Sequence, residues 1–233
     1  MNDIPSPASV RSSAAIEDYM KAVYSMSESR GGPVQTSELA ARLGVTAASV
    51  SAMVKRLHGA GLVDHEPYRG VRLTPEGERL ALHVVRRHRL VELFLAEVLH
   101  IPWDRVHAEA EILEHALSDY LVDSIDELLG RPRFDPHGDP IPAPDLTVAP
   151  ADRSIPLTEL DIDRTARITQ VSDLEPAMLV HLTSAGIGLN DDIQVREREP
   201  FGGSLVVAVR GAVRRLPHRL AEGIRVSVDS DAA

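Results

Sequence analysis

The stretch TSELAARLGVTAASVSAMVKRLHGAG, residues 36–61, decides the fold. Thr36 to Leu43 reads as a short helix stopped by Gly44, whose lack of a β-carbon suits the left-handed turn that follows a helix. Thr46 then offers a hydroxyl to cap a second helix that runs to about Ala60. Two helices joined by so short a turn form a helix-turn-helix. The outward set on the second helix, Thr46, Ala48, Ser49, Ser51, Ala52, Lys55 and Arg56, is small or polar, which permits close approach to a major groove. The same topology also serves as a protein-docking module, so a DNA partner and a protein partner both stay open at this level.

Upstream, Ile16, Tyr19, Met20, Val23 and Tyr24 recur at helical spacing and predict an amphipathic helix from Ala14 to Glu28, with Asp18 on the opposite face. Downstream, Leu62–Glu66 and Val71–Thr74 read as two short strands around Pro67, Tyr68, Arg69 and Gly70, a hairpin with a basic tip. That is a wing, and Arg69, with Lys55 and Arg56, is placed to contact phosphates. Thr74 followed by Pro75 marks the start of a long helix to about Leu99. A second helix follows Pro102 to about Ala116, and a third covers Asp119 to Leu129. Seven of the 16 prolines fall between Pro132 and Pro156, which excludes a continuous helix or central strand there and predicts a linker. Beyond it, strand-like runs at Ala166–Val171, Asp192–Arg196, Leu205–Arg210 and Ile224–Val228, with a helix around Pro176–Ser184, predict a small β-barrel domain.

The composition agrees with a globular chain: of 233 residues, 43% are apolar and 26% charged. Aromatics supply only 3%, so the core is aliphatic. With no cysteine, disulfides, thiol catalysis, Fe–S clusters and thiolate zinc sites are all excluded, and the expected compartment is cytoplasmic. No apolar run reaches the roughly 18 residues of a membrane helix, so neither export nor a membrane partner is expected. The net charge of −10 is unevenly spread: residues 1–90 hold 12 Lys and Arg against 9 Asp and Glu, and residues 91–233 hold 13 against 26. The basic capacity therefore lies in front, with the helix-turn-helix.

Metal-competent side chains gather on two helices. His107, Glu111, Glu114 and His115 fall within about a 100° arc of one helix, with no Lys or Arg among them. A solvated face usually mixes charge signs, whereas this one stacks groups that repel unless a cation lies between them; an acidic surface stripe is the alternative. On the preceding helix, His88 and Glu92 are four apart among Val84, Val85, Val91 and Leu95, where a carboxylate needs a partner. A buried His–Glu hydrogen bond and metal ligation both satisfy it. Nitrogen and oxygen donors without thiolate suit Mn²⁺, Fe²⁺, Co²⁺ or Zn²⁺, and the carboxylate-rich set leans to the harder ions. A di-iron oxidase would repeat Glu-x-x-His on a second helix, and no second copy exists. The remaining histidines, His58, His65, His83, His100, His137, His181 and His218, have no clustered partners by spacing and are expected to be structural or solvent-facing.

These motifs together resemble the diphtheria toxin repressor family of metal-dependent bacterial transcription regulators. The resemblance rests on the winged helix, on Arg87-His88-Arg89-Leu90-x-Glu92, on Val106-His107-x-Glu109-Ala110-x-x-x-Glu114-His115, on Asp139-Pro140-Ile141-Pro142 and on the C-terminal SH3-like domain. It implies a mainly α fold with small β parts: a winged helix-turn-helix DNA-binding domain in residues 1–74, a helical metal-binding and dimerisation domain in 75–143, a Pro-rich linker in 144–163 and an SH3-like (FeoA-like) domain in 164–233. It also implies an ancillary site at His88, Glu92 and His107, and a primary site at Asp18, Glu111, Glu114 and His115. Iron-responsive members carry methionine and cysteine where this chain has Asp18 and Glu111; the manganese-responsive branch has carboxylates, and oxygen donors move a site toward harder cations. Short manganese regulators carry a glutamate where this chain has Lys21, so their binuclear arrangement does not transfer. In iron-type members the C-terminal domain lends a glutamate and a glutamine to the ancillary site; Glu175 matches the first, and Met178 falls at the second.

The resulting expectation is a non-enzymatic, Mn²⁺-activated homodimeric repressor of manganese-uptake genes that binds double-stranded operator DNA with an inverted repeat and takes no small organic substrate. An Fe²⁺-dependent repressor of the same fold and a metalloenzyme with a winged helix are the alternatives.

Overall fold

The computed structural model describes residues 13–66, 69–149 and 154–228. Its element order is α1 (Ala14–Arg30), α2 (Thr36–Leu43), α3 (Ala47–Gly59), β1 (Val63–Glu66), β2 (Gly70–Leu73), α4 (Pro75–Glu97), α5 (Trp103–Leu113) and α6 (Asp119–Leu128). There follow β3 (Ile155–Pro156), β4 (Thr165–Val171), α7 (Pro176–Ala185), β5 (Asp192–Arg198), β6 (Leu205–Val209), β7 (Ala212–Leu216), α8 (His218–Glu222) and β8 (Ile224–Ser227). Among the described residues no helix is long and apolar enough to cross a membrane. The chain forms two compact units that divide within α4: one runs up to Arg87 and takes in Pro144–Leu146, the other holds His88–Ala143 and the chain from Thr147 onward.

The first unit is a winged helix. Gly44 closes α2 with φ 63°, and the Thr46 hydroxyl accepts from the backbone N–H of Ser49 at 3.2 Å, capping α3. Val50, Val54 and Leu57 bury one face of α3, and Met20 and Val23 of α1 and Leu39 of α2 are buried as well. The opposite face is left for solvent. Strands β1 and β2 pair antiparallel, and Val34 exchanges two backbone hydrogen bonds with Val71, at 2.9 and 2.8 Å, pinning the hairpin to the loop before α2. Thr74 ends the wing: its hydroxyl donates to the Gly61 carbonyl at 2.7 Å and accepts from Gly77 N–H at 3.1 Å. The wing turn at Pro67 and Tyr68 lies outside the described residues.

The second unit joins the C-terminal half of α4, α5 and α6 to a six-stranded antiparallel sheet of order β3-β8-β4-β5-β6-β7. Alternating residues of the strands, among them Ile168, Ile193, Val195, Val207 and Val226, bury one face of the sheet with Leu179 and Leu182 of α7. Leu157 and Leu160, inside the expected 144–163 linker, are fully buried in this core. Their apolar side chains have a core to enter, so the C-terminal domain takes in residues from Ser154 rather than from 164; residues 150–153 of the linker lie outside the described residues. Strand β7, the short β3 and α8 were not legible in the sequence.

The barrel packs directly on the helices of its unit. Trp103 at the start of α5 donates its ring N–H to the Thr183 hydroxyl of α7 at 2.8 Å. Residues 134–140 fold back as a tight loop, and a Cβ on Gly138 would lie 2.0 Å from the Thr169 carbonyl oxygen of β4. Only a glycine permits that approach. This contact brings the barrel to the polar face of α4 and α5.

Candidate metal centre

Within the second unit, α4 supplies His88 and Glu92, α5 supplies His107 and Glu111, and the turn that ends α5 supplies Glu114 and His115. Glu92 and Glu114 are buried to within 1% of full enclosure, far from the solvent that a surface stripe requires. The acidic-stripe alternative therefore fails for Glu114, whereas Glu111 on the same face is 40% exposed; for Glu92 the buried hydrogen bond with His88 is present.

Two groups share the space. In one, Glu92 Oε1 lies 3.0 Å from both His88 Nε2 and His107 Nδ1. Asp173 Oδ2, from the turn between β4 and α7, lies 3.1 Å from the same His107 nitrogen. His137 completes it: ligand atoms of Glu92, His137 and Asp173 all lie within 4.8 Å of one another. In the other group, Glu114 Oε2 meets His88 Nδ1 at 2.5 Å and Glu114 Oε1 lies 3.3 Å from His115 Nε2. Ligand atoms of His88, Glu111 and Glu114 again fall within 4.8 Å.

His137 corrects the sequence reading, which set it aside. The imidazole is fully buried, and its Nε2 lies 2.8 Å from the Trp103 carbonyl oxygen, which can only accept. Nε2 therefore carries a proton, and Nδ1 is a buried atom with no hydrogen-bond partner among the described residues. A ring nitrogen left open while the other ring nitrogen donates to a backbone carbonyl is the arrangement expected of a metal-binding histidine. The loop that carries it is fixed by Asp135, whose Oδ1 accepts from the N–H of His137 at 2.8 Å and of Asp139 at 2.9 Å. Arg89 donates to the Pro140 carbonyl at 2.6 Å and to Asp139 at 3.3 Å, and Gln170 of β4 donates to Asp139 at 2.9 Å.

Glu175, which the resemblance brings to the ancillary group, is turned elsewhere. Its side chain sits at the start of α7, 45% exposed, in an ion pair with Arg219 of α8. Asp173, two residues earlier, takes the place beside His107. The Met178 thioether packs against the barrel core, where its methyl group is 3.5 Å from a Cβ built on Gly223. Asp18 lies half-buried on α1, in the first unit. The run Asp135-Pro-His137-Gly-Asp139, three metal-competent side chains in a Pro/Gly loop, was the signal available for His137. Asp173 had none beyond its lying two residues from Glu175.

The electrostatics describe a site prepared for a cation. Burial pushes the Glu92 carboxyl up, but the charge of His88 and hydrogen bonds from His107 and His88 outweigh it and hold Glu92 below the carboxylate range. Burial likewise raises Asp173, and its hydrogen bond with His107 reverses the sign. His107 responds in kind: burial disfavours its charge, yet hydrogen bonds to Asp173 and Glu92 push it up to about 10. A proton on His107 thus balances carboxylates that a divalent ion can balance instead. The donors, imidazole nitrogens and carboxylate oxygens without sulfur, fit a hard or borderline divalent metal.

On the first unit, Thr46, Ala48, Ser49, Ser51, Ala52, Lys55, Arg56 and Arg69 are all exposed. Arg69 is ion-paired with Glu66 at 3.1 Å, and with that exposure the pair adds little to stability. The α3 residues form the face opposite Val50, Val54 and Leu57.

A winged helix joined to helices that bear buried imidazole–carboxylate groups defines a metal-responsive DNA-binding protein. The chain belongs to the iron-dependent repressor family, that of the diphtheria toxin repressor, and is a metal-dependent transcriptional repressor rather than an enzyme. Residues 12–71 match the iron dependent repressor N-terminal DNA binding domain, residues 74–143 the iron dependent repressor metal binding and dimerisation domain, and residues 155–228 the FeoA domain. The iron-dependent repressor IdeR of Mycobacterium tuberculosis is 32% identical over 90% of this chain and 95% of its own length. The diphtheria toxin repressor of Corynebacterium diphtheriae is 29% identical over 90% of this chain and 95% of its own. Among solved structures, a manganese-dependent transcriptional repressor in complex with manganese is 41% identical, covers 91% of this chain and 99% of its own, and superposes with a TM-score of 0.87.

Proposed function

We propose that this chain is a Mn²⁺-activated homodimeric repressor of metal-uptake genes that binds an operator with an inverted repeat. The observation that carries the reading is the donor set: two buried groups of imidazoles and carboxylates in a chain without cysteine, with the one candidate sulfur, Met178, packed into the barrel core. Such donors favour Mn²⁺ over the softer ions that thiolate or thioether sites select. The 41% identity to a repressor described as manganese-dependent supports the same branch. The name of the IdeR relatives, iron-dependent repressors, favours Fe²⁺ as the second reading.

His88, Glu92, His107, His137 and Asp173 are the ligands we assign to one site, and Glu111, Glu114 and His115, with Asp18 from α1, to the other. A divalent cation supplies the positive charge that lets these carboxylates converge without repulsion. Asp18 belongs to the reading head, and Glu111, Glu114 and His115 to the dimerisation helices. Ligation shared among them ties the orientation of one to the other. Metal and operator affinities are then coupled, by about 1–3 kcal/mol per linked event. Thr46, Ala48, Ser49, Ser51 and Ala52 face base edges, and Lys55, Arg56 and Arg69 face phosphates. A two-fold dimer demands half-sites about one helical turn, or a multiple of it, apart.

The test is fluorescence-anisotropy binding to a pool of upstream DNA at fixed salt, since phosphate contacts make affinity salt-dependent, with chelator, Mn²⁺ or anaerobic Fe²⁺. Tight binding with Mn²⁺ alone is expected. Equal activation by Fe²⁺ at the same free concentration favours the iron reading, and indifference to metal removes the switch. Asp18→Met with Glu111→Cys shifts activation toward Fe²⁺; an unchanged preference overturns the assignment of those two ligands.

The state of His107 adds a pH dependence. Raised from 6.5 to about 10, its proton contributes stability to the metal-free protein that is fully present below pH 6.5 and lost as pH rises through about 10. The depressed Glu92 and Asp173 contribute in the opposite sense: their share is present above the ordinary carboxylate values of 4.5 and 3.8 and is lost on acidification below them. An entering ion displaces the His107 proton, so between pH 6.5 and about 10 Mn²⁺ affinity rises by about tenfold per pH unit with about one proton released per ion at this site. Calorimetric titration in buffers of different ionisation enthalpy reads both quantities, and pH-independent binding contradicts the proton's place.

A further inference from the structure

His88 stands between the two groups with one ring nitrogen in each. Nδ1 lies 2.5 Å from Glu114 Oε2, while Nε2 lies 3.0 Å from Glu92 Oε1 and 3.1 Å from His107 Nδ1. The ring is 6% exposed, and His107 packs edge-on against it with centroids 4.8 Å apart, so it has little room to turn. A neutral imidazole carries one proton and one lone pair on its two nitrogens. A lone pair committed on the Glu92 side therefore leaves the proton on Nδ1, facing a carboxylate oxygen that can accept it. Glu114 keeps its other oxygen, Oε1, on the side of His115, at 3.3 Å. One carboxylate thus has an oxygen for His88 and an oxygen for the second group.

We propose that His88 is a relay between two cation sites: it ligates an ion beside Glu92 through Nε2 and, in that state, holds Glu114 through its Nδ1–H, so that filling one site prepares the other. The inference rests on the two-site metal reading above. Its physical basis is the orientation of a ligand by a hydrogen bond from behind. A ligating histidine that donates its other N–H to a carboxylate fixes both side chains, and here the fixed carboxylate is itself a ligand. His107 also spans the groups, but its second contact, Nε2 to Glu111 Oε1, is 3.5 Å long and reaches a side chain 40% exposed. His88 is the shorter and drier link. As a positioning residue for Glu114, it makes Mn²⁺ binding to each protomer cooperative.

The test counts Mn²⁺ bound to the full chain from the electron-paramagnetic signal of the free ion. Glu92→Gln with His137→Ala empties the first site and leaves His88 in place. The remaining site, identified by its loss on adding Glu111→Gln, is expected to bind Mn²⁺ roughly tenfold to a hundredfold more weakly than in the wild type. In a His88→Asn background the same emptying changes it by less than about threefold, a difference that a merely structural role for His88 does not produce. Two sites of unchanged, independent affinity overturn the relay and leave the two-site reading intact; a chain that binds no Mn²⁺ overturns both. Should the His88 variant fail to fold, long-range ¹H–¹⁵N spectra of the wild type loaded with ¹¹³Cd²⁺ decide the matter. The relay requires the His88 proton on Nδ1 and cadmium coupling at Nε2, and the opposite tautomer overturns it.

Discussion

Asp173→Asn is expected to weaken divalent-metal binding at the Glu92 site by about a hundredfold, whereas Glu175→Gln leaves it within about twofold. The two residues lie in the same turn and differ in where their carboxylates end. Asp173 Oδ2 is 3.1 Å from His107 Nδ1, with only a fifth of the side chain exposed. The Glu175 carboxylate pairs with Arg219, and its side chain is 45% exposed. An amide at 173 keeps the shape but removes a charged oxygen from the donor set and leaves the His107 charge opposite Glu92 alone. The metal-free protein should lose about 1.5–3 kcal/mol, the usual cost of a lost hydrogen bond to a charged group. Mn²⁺ titration, with a urea melt in chelator, reads both effects. Equal losses for the two variants would contradict the placement of Asp173.

Gly138→Ala is expected to be the most damaging single-methyl change in the second unit. The new Cβ would lie 2.0 Å from the Thr169 carbonyl oxygen and 2.9 Å from the Gln170 Cα, both backbone atoms that cannot swing aside. The residue also holds φ at 88°, where an L side chain is strained. Strain of about 1–2 kcal/mol from φ adds to about 1–3 kcal/mol from overpacking. The loop must move to relieve it and carries His137 away from Glu92. Gly130→Ala is the control: φ is 76°, yet nothing lies within 4 Å of its Cβ position. That variant should show the conformational cost alone, with metal affinity unchanged. Urea denaturation in chelator ranks the two, and a Gly138→Ala protein with wild-type stability and Mn²⁺ affinity would show that the loop does not depend on the close approach.

Much of the first unit was legible. The Gly44 stop, the Thr46 cap and the Thr74–Pro75 boundary are local signals, and the structure places each within a residue or two of its expected position. Each depends only on backbone conformation and on hydrogen bonds between near neighbours. Strand β7 was missed because its adjacent Arg214 and Arg215 break the alternation by which a half-buried strand is read. It lies at the edge of the sheet, paired with β6 alone, and those arginines are exposed. The short β3 escaped for a different reason: it lies inside a proline-rich run and gains its place from its pairing with β8, about 70 residues further on.

The candidate site divides along the same line. Helical spacing put His88 beside Glu92 and lined up His107, Glu111, Glu114 and His115, because residues one turn apart on a helix must be neighbours. The absence of cysteine settled the donor chemistry without any fold at all. Spacing could not show that a loop some 45 residues beyond Glu92 returns its histidine to the same point, nor that Asp173 rather than Glu175 turns inward. Those depend on Gly138 docking against β4, on Asp135 and Arg89 holding the loop, and on Arg219 capturing Glu175. The sequence by itself therefore determined the helix-turn-helix, the helices and the absence of thiolate donors. The tertiary structure decided which side chains from distant segments meet there, because contacts between such segments are set by packing and charge rather than by helical or strand periodicity.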